Sequence, residues 1–411
     1  MTMDGLKVTR GQPDGSTKMA ETDWDNKYSP ISVRKFVRLD TPTKTGSGTV
    51  FPAARSGHRC VADNGSLYVY GGYNPDFEEN NGTVNMYYPL FRELWRYSFS
   101  SNAWTKLSTG GNFPTELASM SVLLHGKNLV VFGGTGVPFG DTNSNRISVC
   151  NLERKEWCEV STSGELPQAI YGQAMVTCNG FLYVFGGTTG FEYNSDLHRL
   201  HLKDCVWEKL EAHKPPSGRY RHEVAYDDSR LYVLGGGTSW VCYSFDQIPA
   251  YNFSTRHWEE MSCRPSTRPR ERLQDNAAGY PSARRCHSCV QYGNAVYICG
   301  GYNGWQIFDD IWKLALDTMQ WTKLPSTMPE PAYFHAAAIT PAGCMYVHGG
   351  VVSIEENRRT SSLYRIWLVL PSLLELTWQR VNDLIPNLHK MSQDSLHSIG
   401  LPPQLMDRLK Q

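Results

Sequence analysis

Six short apolar runs, each halted by two glycines, punctuate this chain. They are Leu67-Tyr68-Val69-Tyr70-Gly71-Gly72, Leu129-Val130-Val131-Phe132-Gly133-Gly134, Leu182-Tyr183-Val184-Phe185-Gly186-Gly187, Leu231-Tyr232-Val233-Leu234-Gly235-Gly236, Val296-Tyr297-Ile298-Cys299-Gly300-Gly301 and Met345-Tyr346-Val347-His348-Gly349-Gly350. Runs this short, rich in aromatic and β-branched residues, predict buried strands rather than helices. The paired glycines allow positive φ where adjacent units crowd. The first glycines stand 62, 53, 49, 65 and 49 residues apart. One strand–Gly–Gly unit about every 50 residues predicts an all-β ring of repeated blades, a β-propeller.

Other strands fall into the same period. Trp104-Thr105-Lys106-Leu107, Trp207-Glu208-Lys209-Leu210 and Trp321-Thr322-Lys323-Leu324 each read as the outermost strand of a blade. Phe36-Val37-Arg38-Leu39 has the same form but precedes the first blade. The sixth blade lacks an outer strand, since a helix signal follows its strand at 363–370, so the early segment is expected to complete it and remove the ring's exposed edges. This assigns residues 31–370 to a single six-bladed propeller of the kelch type and 1–30, which are polar and aperiodic, to a disordered tail.

Each blade carries a second landmark. His58, His222 and His287 stand 13 residues before the first glycine, His335 stands 14 before, and Gln173 takes the position in blade three. One histidine per blade is a repeat feature expected to bond backbone, not to bind metal. Cys286-x-x-Cys289 brackets His287 but has no second pair at zinc-ribbon spacing, so no metal is expected there. Arg55, Arg219 and Arg284 share the position 16 before the glycine and read as scaffold, whereas Arg221 and Arg285 depart from the repeat. Two long loops, at 73–93 with acidic Asp76, Glu78 and Glu79 and at 263–280 with basic Arg264, Arg268, Arg270 and Arg272, are expected at a propeller face.

Composition narrows the function. Forty basic residues balance 40 acidic ones, which argues against nucleic acid or an anionic membrane as partner. Eleven scattered cysteines and no leader-like or membrane-length apolar window suit the cytosol or nucleus. No cofactor is expected.

Residues 371–411 are different in kind. Ser372 followed by Glu375 predicts a capping box, and Leu373, Leu376, Val381 and Leu384 form one helical stripe stopped by Pro386. Shorter helices are predicted at 392–399 and 402–409, on either side of Gly400. The stripe either covers a partner or packs back on the propeller.

Ser372-Leu373-x-x-x-Thr377-x-x-x-Val381 resembles the elongin-binding box of ubiquitin-ligase receptors, with Thr377 where that box usually has Cys. Ile385-Pro386-x-Leu388 resembles the companion box that selects cullin-2. Following a six-bladed kelch ring, these boxes make the chain similar to the kelch receptor family of cullin-2 ubiquitin ligases. That resemblance implies a non-catalytic substrate receptor that reads C-terminal tails ending in glycine or another small residue. Leu373, Thr377 and Val381 would meet elongin B/C, and Ile385, Pro386 and Leu388 would meet cullin-2. Such a receptor needs cations for a terminal carboxylate and aromatic walls. The residues chosen are Arg221 and Arg285 as the carboxylate clamp, with Tyr171, Tyr220, Ser239, Trp240, Tyr302 and Trp305 as walls. The alternative is a kelch scaffold, without ligase function, for a signalling kinase or phosphatase or a cytoskeletal partner. A copper-oxidase reading finds no Tyr, Cys and His group beyond the repeat histidines.

Overall fold

The computed structural model describes residues 33–39, 51–77, 87–211, 213–267, 279–385 and 387–409. Among these, the strands form six separate sheets. Four consecutive antiparallel strands make up each of the first five blades; in blade three they are Ala174–Cys178, Phe181–Phe185, Leu197–His201 and Val206–Lys209. Blade six has three strands of its own and takes its fourth from the start of the chain. Val37–Leu39 pairs antiparallel with Leu363–Trp367, in the register Val37 to Arg365, Arg38 to Tyr364 and Leu39 to Leu363. Phe36 sets its ring edge-on to Tyr364.

Blades two and three depart from the four-strand expectation. Gly110–Gly111 and Ser163–Gly164 add a two-residue parallel strand outside Glu156–Val160 and Val206–Lys209, so Trp207 lies on the second strand from the edge. Short edges of this kind leave little template for unwanted pairing.

The core lies between blades, because a sheet buries its faces only against its neighbours. Trp157, Trp207 and Trp321 are at most 2% exposed. They pack on residues of the preceding blade: Tyr70 lies 5.3 Å from Trp157, Phe132 lies 5.5 Å from Trp207, and Phe245 accepts a 2.9 Å bond from Trp321 Nε1. The landmark side chains join blades as well. His58, Gln173 and His222 each donate from Nε2 to the carbonyl just before the double glycine of the previous blade, at His348, Phe132 and Phe185 (3.1, 2.8 and 3.1 Å). A Cβ on Gly186 would come within 2.6 Å of the His222 ring, so glycine is needed where the imidazole passes. Met120 takes the position in blade two, and His287 makes no ring hydrogen bond among the described residues.

The three repeat arginines are scaffold. Arg55, Arg219 and Arg284 donate to the carbonyls of Gly71, Gly235 and Gly300 in their own blades. Each also lies flat over an aromatic ring: Phe91, Tyr243 and Phe308, at 4.2, 4.0 and 3.9 Å.

The terminal helices form a small cluster on the propeller. Ser372 caps helix Leu373–Leu384, accepting from Glu375 N at 3.3 Å. The capping box does not close, because the Glu375 carboxylate pairs instead with Arg408 at 2.6 Å. Trp378, Leu388, Leu396, Leu401, Met406 and Leu409 bury one another. The Arg408 backbone presses on Gly65, where a Cβ would sit 2.8 Å from its carbonyl oxygen. Gly65 lies in the turn between Arg59–Ala62 and Ser66–Tyr70 of blade one. The cluster therefore sits on the face reached by these inner turns. Among the described residues no helix is long and apolar enough to cross a membrane.

Candidate functional site

At the opposite face the innermost strands begin, and the residue before each landmark decides how they meet. Gly57, Ser119, Gly172, Arg221, Cys286 and Phe334 all have φ between 53° and 69°. That left-handed conformation turns each amide N–H toward the preceding blade. Six backbone hydrogen bonds then run head to tail around the channel. Ser119 N donates to Gly57 O, Gly172 N to Ser119 O, Arg221 N to Gly172 O, Cys286 N to Arg221 O, Phe334 N to Cys286 O, and Gly57 N to Phe334 O, all between 2.7 and 3.0 Å. Only two of the six are glycines; the others carry a backbone strain of order 1 kcal/mol each, which a closed hydrogen-bonded circle can hold.

Above this circle lies a cup of about 290 Å³, with Tyr73, Phe139, Tyr171, Tyr220 and Tyr333 among its walls. Arg221 crosses its floor. The side chain starts in blade four, donates from Nη2 to Ser119 Oγ in blade two, and lies 4.5 Å from the Phe334 ring of blade six. It is 5% exposed, and among the described residues its Nε has no hydrogen-bond partner. Burial and then the nearby Arg59 cation pull its pKa down to about 10, which still leaves it charged at neutral pH. On the far wall Arg359 donates from Nε to Ser56 Oγ at 3.0 Å and lies 5.1 Å from the Tyr73 ring. Its Nη1 sits 3.4 Å from the exposed Asp76 carboxylate. Burial lowers its pKa too.

One step further down the channel, Arg59 of blade one reaches Glu223 of blade four at 2.7 Å, with both side chains 15% exposed. Two layers of side chains thus cross the channel below the cup. In this group Arg59 and Glu223 cancel, so Arg221 remains as an uncompensated buried cation. A buried cation with free donors favours an anion, and a guanidinium suits a carboxylate.

Of the residues chosen from sequence, Arg221, Tyr171 and Tyr220 line the cup. Tyr302 stands behind it, stacked on Tyr333 at 4.9 Å. Arg285 does not line the cup: its Nη1 donates to the Thr238 carbonyl and ties the loops of blades four and five together. Ser239 shares a hydrogen bond with Tyr193 OH, while Trp240 and Trp305 are 92% and 79% exposed on loops outside the cup. Sequence reasoning missed Arg359, Tyr73 and Phe139. Arg359 has no fixed offset in the repeat that would have marked it.

In the helical cluster, Leu373 is 79% exposed and Leu370, Leu374 and Leu384 are also open. Thr377 is exposed and donates to the Leu373 carbonyl. Val381 and Ile385 pack partly on the cluster core. The predicted single stripe is therefore split, with Trp378 inward and the leucines outward. Leu388, chosen as a cullin contact, is 1% exposed at the heart of the cluster and serves its packing. Pro386 lies outside the described residues, as do Glu78, Glu79, Arg268, Arg270, Arg272 and the tail 1–30.

His58, Cys60 and His348 lie together, fully buried, with donor atoms within 4.8 Å of one another. His58 Nε2 is already bonded to His348, and burial holds the Cys60 thiol protonated. This group reads as inter-blade packing.

A closed ring of six such blades, stitched by landmark side chains and double glycines, defines a kelch-repeat β-propeller. The family model for the KLHDC2/KLHL20/DRC7 Kelch-repeats domain matches residues 34–236, 88–278 and 212–400. Kelch domain-containing protein 10 of Mus musculus is 55% identical over 392 residues, covering 93% of this chain and 87% of its own. The Homo sapiens protein of that name is 54% identical, covering 93% and 86%. The Drosophila melanogaster homolog is 40% identical over 380 residues, covering 87% and 62%. The chain belongs to the family of Kelch domain-containing protein 10.

Proposed function

We propose that this chain is a non-catalytic substrate receptor of a cullin-2–elongin B/C ubiquitin ligase, and that its cup takes the C-terminal tails of client proteins. The observation that carries the reading is Arg221, a buried guanidinium at the cup floor with no ion pair among the described residues, above the Arg59–Glu223 pair that crosses the channel. A chain terminus brings the matching carboxylate and stops where the floor stops. An internal segment could offer only an Asp or Glu side-chain carboxylate and would have to double back.

Size suits the end of a chain: at ~30 Å³ per water, 290 Å³ is the space of about ten waters, enough for the last few residues of a tail. The two ends of the molecule support the division of labour. The cup opens on one face, while the exposed leucines of helix Leu373–Leu384 lie on the cluster at the other. A client and a ligase core held there would not compete for space.

Two measurements test this. A peptide ending in Ala-Gly should bind the full chain when its carboxylate is free and weaken about tenfold or more when amidated, as expected for loss of a charge-assisted pair. Arg221→Gln, which removes the charge but keeps a polar side chain, should lose the difference between free-acid and amidated peptide. For the ligase core, Leu373→Asp should lose elongin B/C in a pulldown without lowering stability, because the side chain is 79% exposed. Peptide binding indifferent to amidation would end the tail reading. Undiminished elongin recovery, or none with the wild type, would end the ligase reading and leave a kelch scaffold.

A further inference from the structure

Across the six blades the residue after each landmark runs Arg59, Ser121, Ala174, Glu223, Ser288 and Ala336. Four are small. The two that are charged stand three blades apart, diametrically opposed in a ring of six, and they meet. The small polar members stitch neighbouring blades. Ser121 Oγ and Ser288 Oγ each donate to the landmark carbonyl of the next blade, at Gln173 and His335. Arg59 makes the same stitch with Nε, donating to Met120 O at 3.1 Å. Its Nη1 is then additional to the repeat, and it is spent on Glu223.

Stitching alone does not explain this addition, since serine already stitches. The electrostatics of the neighbour does. Glu223 follows Arg221 by two residues, and the two side chains feel each other's charge, as do Arg59 and Arg221. Arg221 carries an unpartnered Nε. Without Arg59, Glu223 would be a partly buried carboxylate within electrostatic reach of that guanidinium. Pairing them would neutralise the cup floor and draw the guanidinium down the channel.

We propose that Arg59 is a positioning residue: by holding Glu223 across the channel, it keeps Arg221 free for the terminal carboxylate of a client. The inference rests on the tail-receptor reading above and specifies how that site keeps its charge. It makes Glu223 harmful to binding only when Arg59 is absent.

The test is a double-mutant cycle on the full chain. A fluorescent peptide ending in Ala-Gly serves as probe, with its amidated form as control, and each variant is checked by thermal melting. Serine is the repeat's own residue at this position in blades two and five, so Arg59→Ser keeps a native-like stitch. Arg59→Ser should bind the free-acid peptide roughly tenfold more weakly or worse, the loss expected when a charged donor pair is diverted. Arg59→Ser with Glu223→Ser should recover to within about threefold of wild type, and Glu223→Ser alone should bind at least as well as wild type. Wild-type affinity in Arg59→Ser, or a double variant as weak as the single, would overturn the proposal while leaving the tail reading in place. A wild type indifferent to amidation would remove the tail reading and this role together.

Discussion

Replacing His222 with glutamine measures how much of the ring's acid sensitivity comes from one inter-blade hydrogen bond. Only a protonated nitrogen can donate to the Phe185 carbonyl, so the 3.1 Å bond fixes the neutral ring with its hydrogen on Nε2. Burial, reinforced by the Arg219 cation, pulls the pKa of this imidazole down to about 3. In an unfolded chain the same group titrates near 6.5. Below pH 6.5 the unfolded state therefore takes up a proton that the folded blade refuses, and the more proton-rich unfolded state gains. The contribution is whole above pH 6.5 and is lost progressively as pH falls from there toward the folded value. At pH 5 the loss is about 1.5 pH units at ~1.4 kcal/mol each, or about 2 kcal/mol. Glutamine cannot take up that proton, and Gln173 already makes the equivalent 2.8 Å bond to Phe132 in blade three. His222→Gln should thus lie within about 1 kcal/mol of wild type at pH 8 and be about 2 kcal/mol more stable at pH 5. Urea unfolding followed by tryptophan fluorescence at the two pH values decides the matter. Parallel loss of stability in both proteins would refute the reasoning, because it would mean that His222 takes no part in acid unfolding.

Arg284→Ala should destabilise by roughly 3–5 kcal/mol, because it leaves the Asp310 carboxylate largely buried without the partner that now holds it at 2.5 Å. Arg285→Ala, which gives up one bond to a loop carbonyl, should cost about 1 kcal/mol, so thermal melts of the pair separate scaffold from loop. Deleting residues 33–39 removes the three register pairs that complete blade six and should cost a few kcal/mol at ~1 kcal/mol per hydrogen bond. It should also bare Leu363–Trp367 as an edge strand, so light scattering should report association; a monomer with unchanged melting would refute closure by that strand.

Whatever recurs along the chain could be read from it. The double glycines, most of the landmark side chains and the arginines at a shared offset each repeat one local role from blade to blade, and a local role leaves a periodic mark. The strand at 37–39 was visible for the same reason, since Phe36 and Leu39 repeat the form of an outer strand. Arg221 was legible as a break in the period. Arg285 broke the period as well, yet it turns to the Thr238 carbonyl, because the direction of a side chain depends on the neighbouring loop and not on its own offset.

The sequence by itself determined a six-bladed ring, its closure by an early strand, and a helical end with apolar residues to place. Tertiary structure decided which other residues join Arg221, Tyr171 and Tyr220 at the site. Arg59 and Glu223 are 164 residues apart and meet only because blades one and four face each other across a channel. Arg359 joins the cup because its loop folds back over Ser56, 303 residues earlier in the chain. The resemblance to known boxes put Leu373 on elongin and Leu388 on cullin-2, but packing left Leu373 open and buried Leu388. Period and propensity act over a few residues, whereas a site is assembled from whatever the closed ring brings together. Charge and burial then select which of those residues remain free to bind.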